Sequence, residues 1–373
     1  LVSWGCGEHV HEPLIQSTLI TTDTDLSFKN DLATSYEASE DGMTWTFNIR
    51  DDVKFTDGTP LTARDVAFTI NGIVNAEASE CDLSMVREAV AVDDATVEIH
   101  MSKPFNALLY TLAVVGIVPE HAYGEGYGAN PVGSGRYLLE QWDKGQQAIL
   151  VANPDYYGEA PKMERVVVVF MEEDASLAAA QSGQVDVAYT AATYAANQPA
   201  GYDLLNCASV DSRGISLPCV PAGGTKSDEG GEYAVGNDVT CDLAVRQAIN
   251  YAINKEALAK VAFSGYAFPS EGPLPQGVDY AVKLGPWPYN PKKAKELLAE
   301  AGYPNGFETT LWSAYNHTTG QKVIQFIQQQ LAQVGIKAQV QALEAGQRVE
   351  KVESHQDAAT APVRLYYTGW SSS

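Results

Sequence analysis

Side chains able to do chemistry gather in a few stretches. Cys6, His9 and His11 form C-x-x-H-x-H in a Gly-rich loop, and a soft thiol with two imidazoles suits nickel, copper or zinc. Ser313, Tyr315, Asn316 and His317 occupy a loop between a predicted strand and a long helix. There, backbone N–H groups at the helix start can hold a carboxylate, and the side chains add donors. Tyr367 precedes Trp370-Ser371-Ser372-Ser373, an aromatic wall with a hydroxyl-rich tail, and Trp4 is a second aromatic of the same kind. Both tryptophans are placed just after predicted strand positions, where loops line the crevice of an open sheet. Arg136, bidentate and permanently charged, is a candidate carboxylate clamp. Each has a plain alternative: a core tryptophan, a polar surface loop, a surface arginine, or metal-type residues adjacent by chance.

Catalysis finds little support. His11-Glu12 lacks a second His four residues on, and neither G-x-S-x-G, G-x-x-x-x-G-K nor G-x-G-x-x-G occurs. A triad is spatial, so a hydrolase stays as an alternative of another class. No cofactor is implied. The formal net charge of −23 makes nucleic acid a poor partner, while anionic small ligands answer to local groups. Cys6, Cys81, Cys207, Cys219 and Cys241 contain no C-x-x-C; one disulfide among the last three and free buried thiols both remain open. No apolar run approaches the ~20 residues of a membrane span. A chain of 373 residues that begins at Leu1 suggests two or three domains and a processed or trimmed product.

The elements that must position these residues are legible in part. Trp45, Phe47 and Ile49 alternate with Thr44, Thr46 and Asn48 as in a half-buried strand. Glu40-Asp41-Gly42 and Asp57-Gly58 are turns, and Thr62 with Asp65 starts a helix by a capping-box pattern. Ala91–His100 reads as a strand. Val166–Phe170 reads as a strand buried on both faces, followed by a helix over about 174–183 and a strand over 184–188, implying a parallel central sheet. Residues 222–238 are Gly-rich and polar, an exposed loop. Val245, Ile249, Ala252 and Ile253 line one helical face. Asn290-Pro291 opens another helix that Gly302 stops, and Val323, Ile327, Leu331 and Val334 stripe a helix over about 319–334. Strands follow at 336–342 and 363–367, separated by a polar loop at 352–362.

The order of residues from Leu32 to Ile70 closely resembles the signature of the large extracytoplasmic solute-binding proteins of ABC importers, which bind peptides, glutathione and nickel chelates. Leu32-Ala33, Asp41-Gly42, Thr44 to Phe47, Arg50, Val53, Phe55, Asp57-Gly58 and Ala63-Arg64-Asp65-Val66 all fit it. Glu12-Pro13-Leu14, Pro131 to Tyr137 (with Arg136 replacing the usual proline), Asn153 to Gly158 and Val245 to Leu258 fit further blocks. From about residue 241 the chain looks like the glutathione-binding branch in particular. The resemblance implies an α/β, two-lobed periplasmic-binding-protein fold (type II) with an extra strand-rich subdomain in the first lobe. Residues 1–20 and 161–240 would belong to lobe I, 21–160 to the subdomain, and 241–373 to a lobe II truncated before its return to lobe I. It also implies Trp370 against the ligand. Ser373 stands where the di- and oligopeptide branches carry the Asp that pairs with a peptide amine, and the glutathione-like branch carries serine there too. A monomer in the periplasm or on the outer face of the cell membrane, free or lipid-anchored, would then capture glutathione or a similar small peptide between its lobes. It would deliver that ligand to a membrane permease. The alternative in the same family is a nickel or metal-chelate binder using Cys6, His9 and His11.

Overall fold

The computed structural model describes residues 12–23, 27–76, 83–171, 173–190, 194, 197–206, 211–217, 224–228, 231–235, 238–274, 281–344, 347 and 365–371. The chain divides into two compact units, Leu1–Phe170 and Met171–Ser372.

Unit 1 begins with α1 (Glu12–Ile15), then β1 (Ile20–Thr22) and β2 (Phe28–Asn30), an antiparallel pair. Next come β3 (Ala33–Ala38), β4 (Thr44–Ile49), helix α2 (Ala63–Val74), β5 (Val86–Ala91) and β6 (Thr96–Met101). These four strands form an antiparallel sheet in the order β3-β4-β6-β5. The alternation read from the sequence buries Phe47 and Ile49 on one face, and α2 lays Val66, Ile70 and Ile73 into the same core. The turn before β4 is closed by Gly42 at φ 67°, a conformation glycine adopts without steric cost. After α3 (Leu108–Leu112) come β7 (Tyr137–Asp143), β8 (Gln147–Ala152) and β9 (Arg165–Val169), a three-stranded antiparallel sheet.

Unit 2 runs through α4 (Glu173–Gln181), β10 (Asp211–Ser216), β11 (Gly224–Asp228), β12 (Gly231–Val235), α5 (Asp238–Cys241), α6 (Leu243–Ala252), α7 (Lys255–Phe263) and α8 (Pro291–Glu300). It ends with β13 (Glu308–Ser313), α9 (Thr318–Ala332), β14 (Lys337–Ala342) and β15 (Leu365–Ser371). Its main sheet has the order β10-β15-β13-β14; β13 is parallel to both neighbours and β10 is antiparallel to β15. Val245, Ile249, Leu298, Ile327, Leu331 and Leu365 share the core beneath it.

Several expectations are corrected. Val166–Phe170 is not buried on both faces: among the described residues β9 has one ladder neighbour, antiparallel β8, and Val167 is 48% exposed. An unbroken apolar run has no period, so it cannot say how many faces are covered. No strand occurs at 184–188, where Val187 is 84% exposed; the parallel pairs lie at β13–β14 and β13–β15 instead. The strand read over Ala91–His100 is two, β5 and β6, separated by a turn in which Ala95 N–H donates to Asp93 Oδ1. The loop read at 222–238 contains the β11–β12 hairpin, because its glycines flank pairable segments rather than interrupting them. Trp370 lies inside β15, not after it, since β10 supplies a partner that carries the strand past Tyr367 to Ser371.

The capping box forms as its residues require. Thr62 Oγ1 accepts from Arg64 N, and Asp65 Oδ2 accepts from Thr62 N at 2.9 Å. Asp65, 6% exposed, also accepts from Glu120 N at 3.0 Å through Oδ1, tying the helix start to the following loop. Asp65→Ala is therefore expected to cost about 2–4 kcal/mol, more than the ~1 kcal/mol of losing a cap alone, as read from urea unfolding midpoints. Thr62→Ala, which leaves Asp65 Oδ1 engaged, should cost less.

Candidate functional site

The β13–α9 crossover sets the geometry of unit 2. β13 stops at Ser313, and a four-residue loop brings the chain to α9 at Thr318. Ser313 is fully buried, and its hydroxyl donates to Tyr315 O and accepts from Tyr315 N at 3.0 Å. This short side-chain turn fixes where Tyr315 points. His317 caps α9, its Nδ1 accepting from Gly320 N at 3.1 Å. Asn316 Nδ2 donates to Glu344 Oε2, and Thr318 Oγ1 donates to Asp174 Oδ2. Two acids therefore already stand around the helix start.

Tyr315 is the centre of this arrangement. Its ring meets Tyr367 edge-on at 5.6 Å and lies 5.4 Å from the His317 ring. Arg213, on β10, places its guanidinium 4.6 Å from the Tyr315 ring centroid. Two glycines make room. A Cβ on Gly369 would fall 2.6 Å from Tyr315 Oη and 3.3 Å from Arg213 Cγ; one on Gly320 would fall 2.7 Å from Tyr315 Cβ. Arg213 pairs with Gly369 in register, and Gly369 lies two residues beyond Tyr367, which is level with the end of β13. The cluster thus crowns the carboxyl end of the parallel strands, where open α/β sheets bind ligands. Burial pushes the Tyr367 hydroxyl up to about 12, with Arg213 opposing the shift.

Of the residues singled out in the sequence, Tyr315, His317 and Tyr367 come together here, with Asn316 adjacent. Trp370 lies on the same strand, opposite Ser212, described with Ser371 by backbone alone. Trp4, Cys6, His9, His11, Ser372 and Ser373 lie outside the described residues. Among the described residues no group of three metal-ligating side chains is assembled. Sequence reasoning missed Arg213, which sits in a segment, Asp211-Ser212-Arg213-Gly214, that matches no motif.

Arg136 belongs to unit 1. It is exposed, its Nε donates to Tyr156 Oη at 3.4 Å, and its guanidinium lies 5.8 Å from that ring's centroid. Behind it, Asp31 accepts from Tyr157 Oη at 2.5 Å and from Thr18 N at 3.2 Å, while Arg50 sits 4.9 Å from the Tyr157 ring centroid. Burial raises the Asp31 carboxyl above its ordinary range; the hydrogen bonds from Tyr157 and Thr18 and the fields of Arg136 and Arg50 pull it down without cancelling that effect.

The folded state therefore binds the Asp31 proton more tightly than the unfolded chain, and this group's contribution to stability falls as pH rises from about 4 through the folded value. The difference in urea midpoint between Asp31→Asn and wild type should move in wild type's favour as pH drops from 7 to 4; a constant difference would contradict the assignment. In unit 2, Gly369→Ala is expected to displace Tyr315 and to cost about 1–3 kcal/mol by overpacking, measured by urea unfolding.

Comparison with known proteins agrees with this architecture. Residues 27–373 match the family model described as bacterial extracellular solute-binding proteins, family 5 Middle. The glutathione-binding protein GsiB of Pectobacterium atrosepticum is 42% identical over 365 residues, covering 94% of this chain and 68% of the relative. Among solved structures, NikZ from Campylobacter jejuni in complex with Ni(L-His) aligns with a TM-score of 0.79 at 25% identity, covering 96% of this chain and 72% of that one. The periplasmic binding protein DppA from Helicobacter pylori, in complex with the peptide STSA, gives 0.79 at 25% identity, covering all of this chain and 75% of that one. The chain carries the α/β fold of the periplasmic binding proteins, and it belongs to the bacterial extracellular solute-binding proteins of family 5.

Proposed function

We propose that this chain is the solute-binding component of an ABC importer, and that its ligand is glutathione or a similar small peptide handed on to a membrane permease. The observation that carries this reading is the aromatic cluster of Tyr315 and Tyr367 at the carboxyl end of the parallel strands, joined by the Arg213 guanidinium. A flat aromatic surface beside a cation suits a small ligand with apolar and anionic parts. The 42% identity to a glutathione-binding protein supports the ligand class. Arg136, Asn316, His317, Trp370 and Ser371 join the proposed ligand-binding set, as do Trp4, Ser372 and Ser373 from their place in the sequence. The division into lobe I (1–20 and 161–240), an inserted subdomain (21–160) and lobe II (241–373) belongs to the same proposal.

Such a protein works outside the cytoplasmic membrane, free or lipid-anchored, as a monomer, and breaks no bond itself. Among the described residues no helix is long and apolar enough to cross a membrane. A second reading, a metal chelate as ligand, draws support from the likeness to NikZ bound to Ni(L-His). Calorimetry with glutathione, dipeptides, Ni²⁺ and Ni²⁺–histidine separates the two. Glutathione is expected to bind and plain dipeptides to bind at least about 10-fold more weakly, because Ser373 offers a hydroxyl where a peptide ammonium needs a carboxylate. Trp370→Ala and Tyr315→Ala should each weaken glutathione binding by about 10-fold or more. Tight binding of the nickel chelate without glutathione binding would overturn the peptide reading.

A further inference from the structure

Arg213 differs from the other described arginines. Arg50 pairs with Asp52, Arg64 with Asp94, Arg87 with Glu88 and Arg165 with Glu140. Arg246 donates to the carbonyls of Thr240 and Cys241, and Arg136 is drawn to Tyr156 in the field of Asp31. Arg213 is solvent-exposed, yet among the described residues no carboxylate reaches it at ion-pairing distance, in a chain with 47 acidic residues. Asp211, two residues back on the same strand, contributes its field alone.

What does hold Arg213 leaves its donors available. Stacking on Tyr315 orients the guanidinium plane without consuming an N–H, and the Tyr367 hydroxyl lies within the field of the same cation. Gly369, opposite in the ladder, keeps the space beside both side chains clear. The helix start, by contrast, is a poor carboxylate seat: His317 occupies the Gly320 N–H, and Asp174 already faces Thr318. Resting on the glutathione-type reading above, we infer that Arg213 is the carboxylate clamp of unit 2 and makes a free ligand carboxylate a condition of tight binding. The planar fork matches the two oxygens of a carboxylate, and Tyr315 and Tyr367 hold it in place before the ligand arrives.

The test uses the full chain and calorimetry with glutathione and with its diethyl ester, in which both carboxylates are blocked. Wild type should bind glutathione about 10- to 100-fold more tightly than the diester. Arg213→Gln should lose a similar factor for glutathione while binding the diester as wild type does, so that discrimination collapses. Arg213→Lys, keeping charge without the fork, should fall between them. Steeper salt dependence in wild type than in Arg213→Gln would support an ionic contact. If Arg213→Gln fails to fold, wild-type affinities for acid and diester still decide: equal values overturn the clamp. Unchanged glutathione affinity in a folded Arg213→Gln overturns the clamp and leaves the glutathione reading standing. No glutathione binding by wild type removes both.

Discussion

A large aromatic ring can sit against a strand only where that strand gives up its side chain. In unit 2 this constraint is met by Gly369 on one side of Tyr315 and Gly320 on the other. Once the ring is seated, Arg213 has a surface to stack on and Tyr367 an edge-on neighbour, and the carboxyl end of the sheet gains a charged, aromatic surface. Ser313 fixes the loop from beneath and His317 starts the helix above it. These small interactions serve one end: a pre-oriented cation, whose ordering cost is met during folding rather than during binding.

Unit 1 handles charge differently. Asp31 is half-buried and surrounded by Tyr157, Thr18, Arg50 and Arg136, and burial still dominates its titration. The two arginines meet tyrosine rings rather than the carboxylate directly, so their charge stays near the surface while the hydrogen bonds satisfy the acid. In a chain with net charge −23, such local arrangements decide whether an anionic ligand is welcome; the overall field alone would discourage it. Family membership and a cationic site are therefore compatible with a strongly acidic surface.

Local signals proved reliable where one stretch of chain carries all the information. The Thr62–Asp65 capping box, the Asn290-Pro291 helix start, the stripe along α9 and the alternation in β4 each depend on neighbours within a few residues, and each formed where expected. The residue order from Leu32 to Ile70 also carried the family, because many positions of fixed type at fixed spacing rarely coincide by chance.

Pairing decided the rest. Whether Val166–Phe170 is a central or an edge strand depends on how many strands lie beside it, and its apolar run is the same in either case. Trp370 lies within β15 because β10, more than 150 residues earlier, extends the ladder to Ser371. Arg213 had no motif around it; it became a candidate only when that ladder set it opposite Gly369 and under Tyr315, three residues that are distant in the chain. The sequence by itself determined the caps, turns, periodicities and family of this protein. Tertiary structure alone decided which faces are covered and which charge lacks a counter-ion among the described residues, because burial and ion pairing are properties of neighbours in space rather than in sequence.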